Sequence, residues 1–458
     1  MPAHSSIFSD RSVALPVLTE RHMYVLIGAL MILTLQFQTL PFNIPIQTLP
    51  LTTVIALLAL PFVLGKTPKS PLLMVIFLFT GYAFLHSVIA VVIDMYSGYP
   101  EVRFIAWVRQ FVAFFAGVVT FYVFRVTLTY LSLRQVLKYV ILGSLPALFF
   151  SMMNVLWGAL KIQWLGTIVI AVREFISSAG YTSALRASGF TVEPAHLATI
   201  IVVLLVPTIL IYIGWKKNLF WILLYLAFTV IVFVWTFSLS GLILMFVLLL
   251  AGMVFGPLKK QIMALVFVFF AFAMITLVLF PSNQVFRHAR SLAIGQANLS
   301  MNDRVYGVIG PFLEATDSWT MVGYGLGGVS SHFDEVVPKK VQSEILSSKW
   351  KEYPTISSLF GRVFAEMGAI GLVLFLIIVG FVFWELQKLI KHTQQEEIRL
   401  VYTSIRLALI AVFTSLFITI GPYHTPYFWF WIAVVDAQFV LLLQNSSPYQ
   451  HSEANIIR

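Results

Sequence analysis

Runs of roughly 18–22 apolar residues recur along this chain, each long enough to cross hydrocarbon about 30 Å thick as a helix. Inside lipid no water meets the backbone, so a spanning segment must be a helix or a strand of a closed barrel. Barrel strands alternate apolar and polar residues, whereas these runs are continuous, so the spans are helices. Hydrophobic residues are 59% of the 458 and charged residues only 10%, too little polar surface to cover a soluble protein of this length. The chain therefore reads as an all-α polytopic membrane protein, a single integral membrane domain over 1–458.

The runs fall at roughly 24–41, 48–65, 71–93, 106–124, 138–158, 195–214, 219–237, 240–256, 262–281, 359–384, 403–421 and 427–444, about twelve helices with ends uncertain by about 2–4 residues. The first run lacks a small-residue cleavage site and reads as a retained span. Lys and Arg mark cytoplasmic loops. One set of segments holds Arg11, Arg21, Lys66, Lys69, Arg125, Arg134, Lys138, Lys216, Lys217, Lys259, Lys260, Lys388, Lys391 and Arg399, while the short hairpins near 42–47, 238–240 and 422–426 hold no Lys or Arg. Both termini are thus expected in the cytoplasm. Two long loops, 159–194 and 282–358, then lie outside it, the larger between helices 9 and 10. The net charge of +10 is spread over short loops, which suits topology control and anionic lipid better than nucleic acid. There is no cysteine, which excludes disulfides, thiolate metal sites and cysteine nucleophiles.

The outer loops carry arginines that break the positive-inside trend, and arginine offers a rigid fork of donors suited to phosphate. The first loop holds an interrupted apolar stretch, 162–176, which suits the membrane interface. It ends in Arg186-Ala-Ser-Gly-Phe-Thr-Val-Glu193-Pro-Ala-His196, with Pro194 placed to open a helix. Arg186 would meet a lipid-linked phosphate and Glu193 a sugar hydroxyl; the plainer alternative is an interfacial anchor with Glu193 favouring the helix N-terminus. Ser238-Leu-Ser-Gly241 reads as a tight turn. The large loop has helix-like pieces near 285–297 and 339–352, Arg287 and Arg290, Asp303-Arg304, and the run Gly323-Tyr-Gly-Leu-Gly-Gly328. That run follows no strand, so a dinucleotide-binding turn is unsupported; Gly323 and Gly325 are candidate hinges, and a solvated loop with an Arg304 ion pair is the alternative. Glu366, inside an apolar run, is costly to bury and is either functional or ion-paired with Arg362 at i, i+4 spacing. Arg109 is the in-span arginine best placed to line a cavity. His196, His332 and His424 fall on the outer side, and the nine histidines show no metal-ligand spacing.

Taken in order, Arg186-x-Ser-Gly-x-x-x-Glu-Pro, Ser238-Leu-Ser-Gly241, Asp303-Arg304, Gly323-x-Gly and Glu366-Met-Gly-Ala-Ile-Gly-Leu-Val-Leu-Phe resemble the O-antigen polymerase and ligase superfamily over roughly 180–380. The resemblance implies a GT-C-type membrane glycosyltransferase working at the periplasmic face of the bacterial inner membrane. Its donor and acceptor would be undecaprenyl-diphosphate-linked glycans among membrane lipids, with no cofactor, no metal and no nucleotide sugar, and with room for a chain-length regulator as partner. By motif position Arg186 and Arg304 would neutralise the leaving diphosphate, assisted by Arg290 or Arg109, and Glu193, followed by Glu366 and His332, would serve as base. Ligases carry a histidine where this chain has Ser357, and the Glu-Pro element resembles the polymerase branch, so polymerase is the expectation and O-antigen ligase the alternative. A polysaccharide or lipid transporter is the third class; against it stand the lack of repeat symmetry and of a visible cluster of paired charges at mid-membrane.

Overall fold

A computed structural model describes residues 20–38, 49–66, 68–96, 100–176, 186–191, 193–215, 218–255, 259, 262–263, 267, 299–315, 319–336, 356–418 and 421–446. They form helices α1 (Glu20–Leu33), α2 (Leu51–Val63), α3 (Pro71–Tyr96), α4 (Pro100–Leu128), α5 (Leu133–Leu160), α6 (Gln163–Ile176), α7 (Pro194–Gly214), α8 (Leu219–Trp235), α9 (Leu239–Val254), α10 (Leu299–Leu313), α11 (Leu359–His392), α12 (Glu396–Ile418) and α13 (Pro426–Ser446), with no strand among the described residues. Seven of these, α3, α4, α5, α7, α11, α12 and α13, are long and apolar enough to cross a membrane, and α2, α8 and α9 are shorter apolar helices. This is the make-up of a multi-pass membrane protein. The expected span at 262–281 and the expected helical pieces at 285–297 and 339–352 lie outside the described residues, save a few positions near 262. The interrupted stretch in the first loop is a helix of its own, α6, packed against α5.

Local chemistry sets the helix starts. Proline, whose missing N–H costs nothing in a first turn, opens α3, α4, α7 and α13. Ser132 opens α5 with a reciprocal cap: its Oγ accepts from Gln135 N–H at 3.3 Å while Gln135 Oε1 accepts from Ser132 N–H at 2.9 Å.

Helix α7 runs through the interior, and nearly every residue from Pro194 to Ile211 is buried. Pro207 cannot donate to the Val203 carbonyl four residues back. The helix widens into a π-helical turn over Ile201–Leu205, and Trp431 Nε1 on α13 donates to the freed Val203 carbonyl at 2.9 Å. The unmet carbonyl thus becomes a tie between two core helices.

The ends of the bundle sort as the Lys and Arg pattern predicts. Trp215, just past α7, donates to the Glu397 carbonyl at the start of α12, and Glu397 pairs with Arg134 at 2.8 Å. Lys66, after α2, pairs with Glu20 at the head of α1 at 2.8 Å. The starts of α7, α9, α11 and α13 therefore share the opposite end, with the loops 186–193, 236–238, 319–336 and 421–425; we call this the loop end.

Candidate functional site

Two of the motif segments meet directly at the loop end. Arg186, half-buried, donates from Nε to the Thr236 carbonyl at 2.9 Å and from Nη2 to the Phe237 carbonyl at 3.3 Å. The Ala187 N–H donates to the Trp235 carbonyl at 3.0 Å, so the chain at 186–187 is stitched to the α8–α9 turn. Ser238 caps α9, its Oγ accepting from Gly241 N–H at 3.1 Å, as the tight turn requires. Arg186 Nη1 takes part in neither of these bonds.

What holds this loop is an arginine that the motif reading passed over. Arg173 on α6 is buried, and it donates to Ser188 Oγ, to the Gly189 carbonyl at 3.3 Å and to the Thr191 carbonyl at 3.1 Å. The visible signal was the Arg173-Glu174 interruption of an apolar stretch. Glu193 is the residue before α7, exposed, with Pro194 first in the helix as predicted. Its main-chain carbonyl accepts from His196 and Leu197 N–H, while its side chain makes no capping bond. Glu193 is thus the expected base with an accessible carboxyl.

A second junction explains the glycine run. Helix α11 is broken at Gly368, whose backbone (φ 67, ψ −167) no side-chain-bearing residue adopts readily. The break leaves three successive carbonyls without helical partners. Tyr324 N–H fills the Ala365 carbonyl at 3.0 Å, Gly325 N–H the Glu366 carbonyl at 2.6 Å, and Tyr82 hydroxyl on α3 the Met367 carbonyl at 2.8 Å. Gly323, at φ +95, lies so close that a Cβ there would meet Met367 C at 2.7 Å. Gly323 and Gly325, the expected hinge, lie against α11 in this arrangement.

Glu366 completes that junction. It is 1% exposed. Its Oε1 accepts from Gly327 N–H at 3.1 Å and its Oε2 from Tyr423 hydroxyl at 2.7 Å. Arg362 Nε stands 3.8 Å from Oε1, the expected i, i+4 pair, and Arg362 Nη1 donates to the Gly421 carbonyl at 3.1 Å. Both carboxylate oxygens accept bonds from the protein, so Glu366 positions the glycine run against α11. Nearby, burial and then the Arg362 charge push the His424 imidazole down to about 4, so it stays neutral.

His332 is engaged on both sides as well. Its ring stacks on Tyr324 at 4.4 Å, Nδ1 lies 3.0 Å from Glu335 Oε1, and Nε2 lies 3.3 Å from both Asp94 oxygens at the end of α3. Burial opposes its charge, but the bonds and charges of Asp94 and Glu335 outweigh that and raise the imidazole above its ordinary range. His332 thus bridges two carboxylates and clasps the loop to α3. Tyr324 hydroxyl donates to Glu335 Oε2 at 2.7 Å, closing the group.

The remaining expected arginines are placed by their helices. Arg304 sits on α10, three residues before Gly307, which packs so tightly on Ser357 that a side chain there would collide with it, while a side chain at Gly361 would collide with the Gly307 carbonyl. Phe312 stacks on Phe364 at 4.5 Å, so α10 lies along the first turns of α11. Arg109 is half-buried on α4, three residues beyond Ala106, against whose carbonyl Gly327 rests. Arg290 lies outside the described residues.

Paired charges do meet inside the bundle: Arg125 on α4 donates from Nε to Asp436 Oδ2 on α13, with Glu385 of α11 facing them, all fully or almost fully buried. Arg125 read as a loop residue because the apolar run ends at 124; the helix continues to Leu128 and carries it inward. No protein-family model matches the chain, and neither does any curated protein or solved structure.

Proposed function

We propose that the chain is a membrane glycosyltransferase that joins undecaprenyl-diphosphate-linked repeat units into O-antigen or a related surface polysaccharide at the periplasmic face of the inner membrane. The observation that carries it is convergence. Residues 186–187 meet 235–237 and residues 323–327 meet 365–368, each pair distant in sequence, and both junctions lie at the loop end of the bundle.

In this mechanism the growing glycan on its lipid diphosphate is the donor. Arg186, fixed by two carbonyls, and Arg304 on α10 face the diphosphate, with Arg109 and Arg290 as further cations. The terminal hydroxyl of a second lipid-linked unit attacks the donor anomeric carbon. A carbon–oxygen bond to the acceptor forms, the bond to the diphosphate breaks, and the acceptor proton passes to Glu193. Cations fixed beforehand around the leaving diphosphate stabilise its developing charge.

The test is Arg186→Ala and Arg304→Ala in cells lacking the native gene. Each should lower chain lengthening by about 10²–10³-fold, as for removal of one preorganised oxyanion donor. Full-length polymer from both variants at normal protein levels would overturn the assignment. In the deletion strain, core carrying one repeat unit marks a polymerase, and polymer stranded on undecaprenyl diphosphate marks a ligase. The buried Arg125–Asp436–Glu385 cluster favours a second reading, a proton-coupled transporter of lipid or polysaccharide. Chain lengthening by the purified protein on lipid-linked oligosaccharide separates the two.

A further inference from the structure

We propose that Arg125, Asp436 and Glu385 form a proton-binding site in which one proton resides on Glu385 and is shared with Asp436. The site stands apart from the loop end and does not rest on the glycosyltransferase assignment. Its residues come from three helices, α4, α13 and α11, and are 1%, 0% and 0% exposed.

Arg125 is fixed at both edges: Nε donates to Asp436 Oδ2, and Nη2 donates to the Pro68 carbonyl, just before α3, at 2.6 Å. From α13 Glu385 meets Asp436, from α4 it meets Arg125, and from α3 only the Leu72 backbone amide faces it. That amide falls short of a hydrogen bond, since neither Glu385 oxygen accepts one from the chain.

Charge counting then decides the occupant. Two carboxylates against one guanidinium would leave an uncompensated negative charge in a buried, apolar place. A metal cation would need about six oxygen ligands, and no three His, Asp or Glu residues are grouped to hold one among the described residues. One proton balances the cluster without further ligands. Asp436 is the carboxylate paired with Arg125 and stays ionised. Glu385, with no donor, carries the proton. Its O–H can donate to Asp436 Oδ1, the oxygen that has no other partner. Each group then has a bond, and the triad is neutral.

Infrared spectroscopy of the full chain in lipid nanodiscs, with glutamate ¹³C-labelled at the side-chain carboxyl, tests this. At neutral pH the labelled protein should show the carbonyl stretch of one protonated glutamic acid, shifted by the label. Glu385→Gln should remove that band. Asp436→Asn should remove it too, because Glu385 then surrenders its proton to pair with Arg125. Absence of the band from the unsubstituted chain overturns the proposal whether or not the variants fold. A band that survives Glu385→Gln places the proton elsewhere and also overturns it. A band that survives Asp436→Asn shows a carboxyl neutral through burial alone, and the shared site fails.

Discussion

At Gly368 a single backbone conformation decides where a loop can dock. With φ at 67 and ψ at −167, the residue sits in a region that costs any other residue about 1–3 kcal/mol. A Cβ there would also fall on the Val322 carbonyl and lie 2.5 Å from that of Met321. Gly368→Ala should therefore both destabilise the protein and free the glycine run, because the two faults share one contact. A lowered melting temperature together with faster proteolysis within 319–336 checks it; unchanged proteolysis would show that the loop is held by other means. Sequence exposed this site only in halves. Glu366-Met-Gly and Gly323-x-Gly stood out as separate motifs, and nothing in either states that two carbonyls beside the first accept from main-chain amides of the second. Tyr82 and Tyr423 gave no signal, since a tyrosine in an apolar run looks like any packed aromatic.

Among the elements, the short segment 319–336 is held at its far edge by electrostatics. His332 joins Asp94 on α3 to Glu335 in the one-turn helix Phe333–Val336. The His332 imidazole is raised, so its contribution is complete below its unfolded value of about 6.5 and fades as pH climbs through the raised one. Burial alone would raise the Glu335 carboxyl, yet its bonds to His332 and Tyr324 win and lower it; that contribution is present above about 4.3 and fades as pH falls through the lowered value. The clasp should hold best between roughly pH 4.3 and 6.5 and loosen on the alkaline side. Partial exposure keeps the effect at about 1 kcal/mol or less. Hydrogen exchange in 328–336, followed against pH, should show a loss of protection on the alkaline side that His332→Gln abolishes; an unchanged profile would remove His332 from the clasp. The helices themselves were largely legible, because long apolar runs leave few alternatives. Their last turns were not. Arg125 lay one residue beyond the predicted end of its span, and that residue is the difference between a lipid-surface cation and a buried one. Arg173 was visible as an interruption, but its three bonds to the 188–191 loop depend on how α6 packs against α5.

For the whole molecule, helix alternation places the loop end and the lysine-rich end on opposite faces of the bundle, and by the positive-inside rule we propose that the lysine-rich end is cytoplasmic. The chain has no native cysteine, so single substitutions report cleanly. In spheroplasts an impermeant maleimide should label Ser331→Cys readily and Lys388→Cys only after lysis. The reverse pattern would invert the topology and remove the periplasmic assignment with it.

The docking of the glycine run on broken α11 has a consequence for how such a protein changes over time. Tyr324 and Gly325 reach α11 through main-chain amides, and an amide looks the same whichever side chain it bears. For these two bonds the seat asks little of the side chains at 324 and 325; the loop's other anchors are the close-packed Gly323 and Gly327 and the His332 clasp. The exposed side chains Trp319, Met321 and Val322 can be exchanged, altering the surface the loop presents, while its place on the bundle stays fixed. A graft from another chain that keeps the glycine spacing, the buried apolar residues and the His332 clasp should seat in the same position.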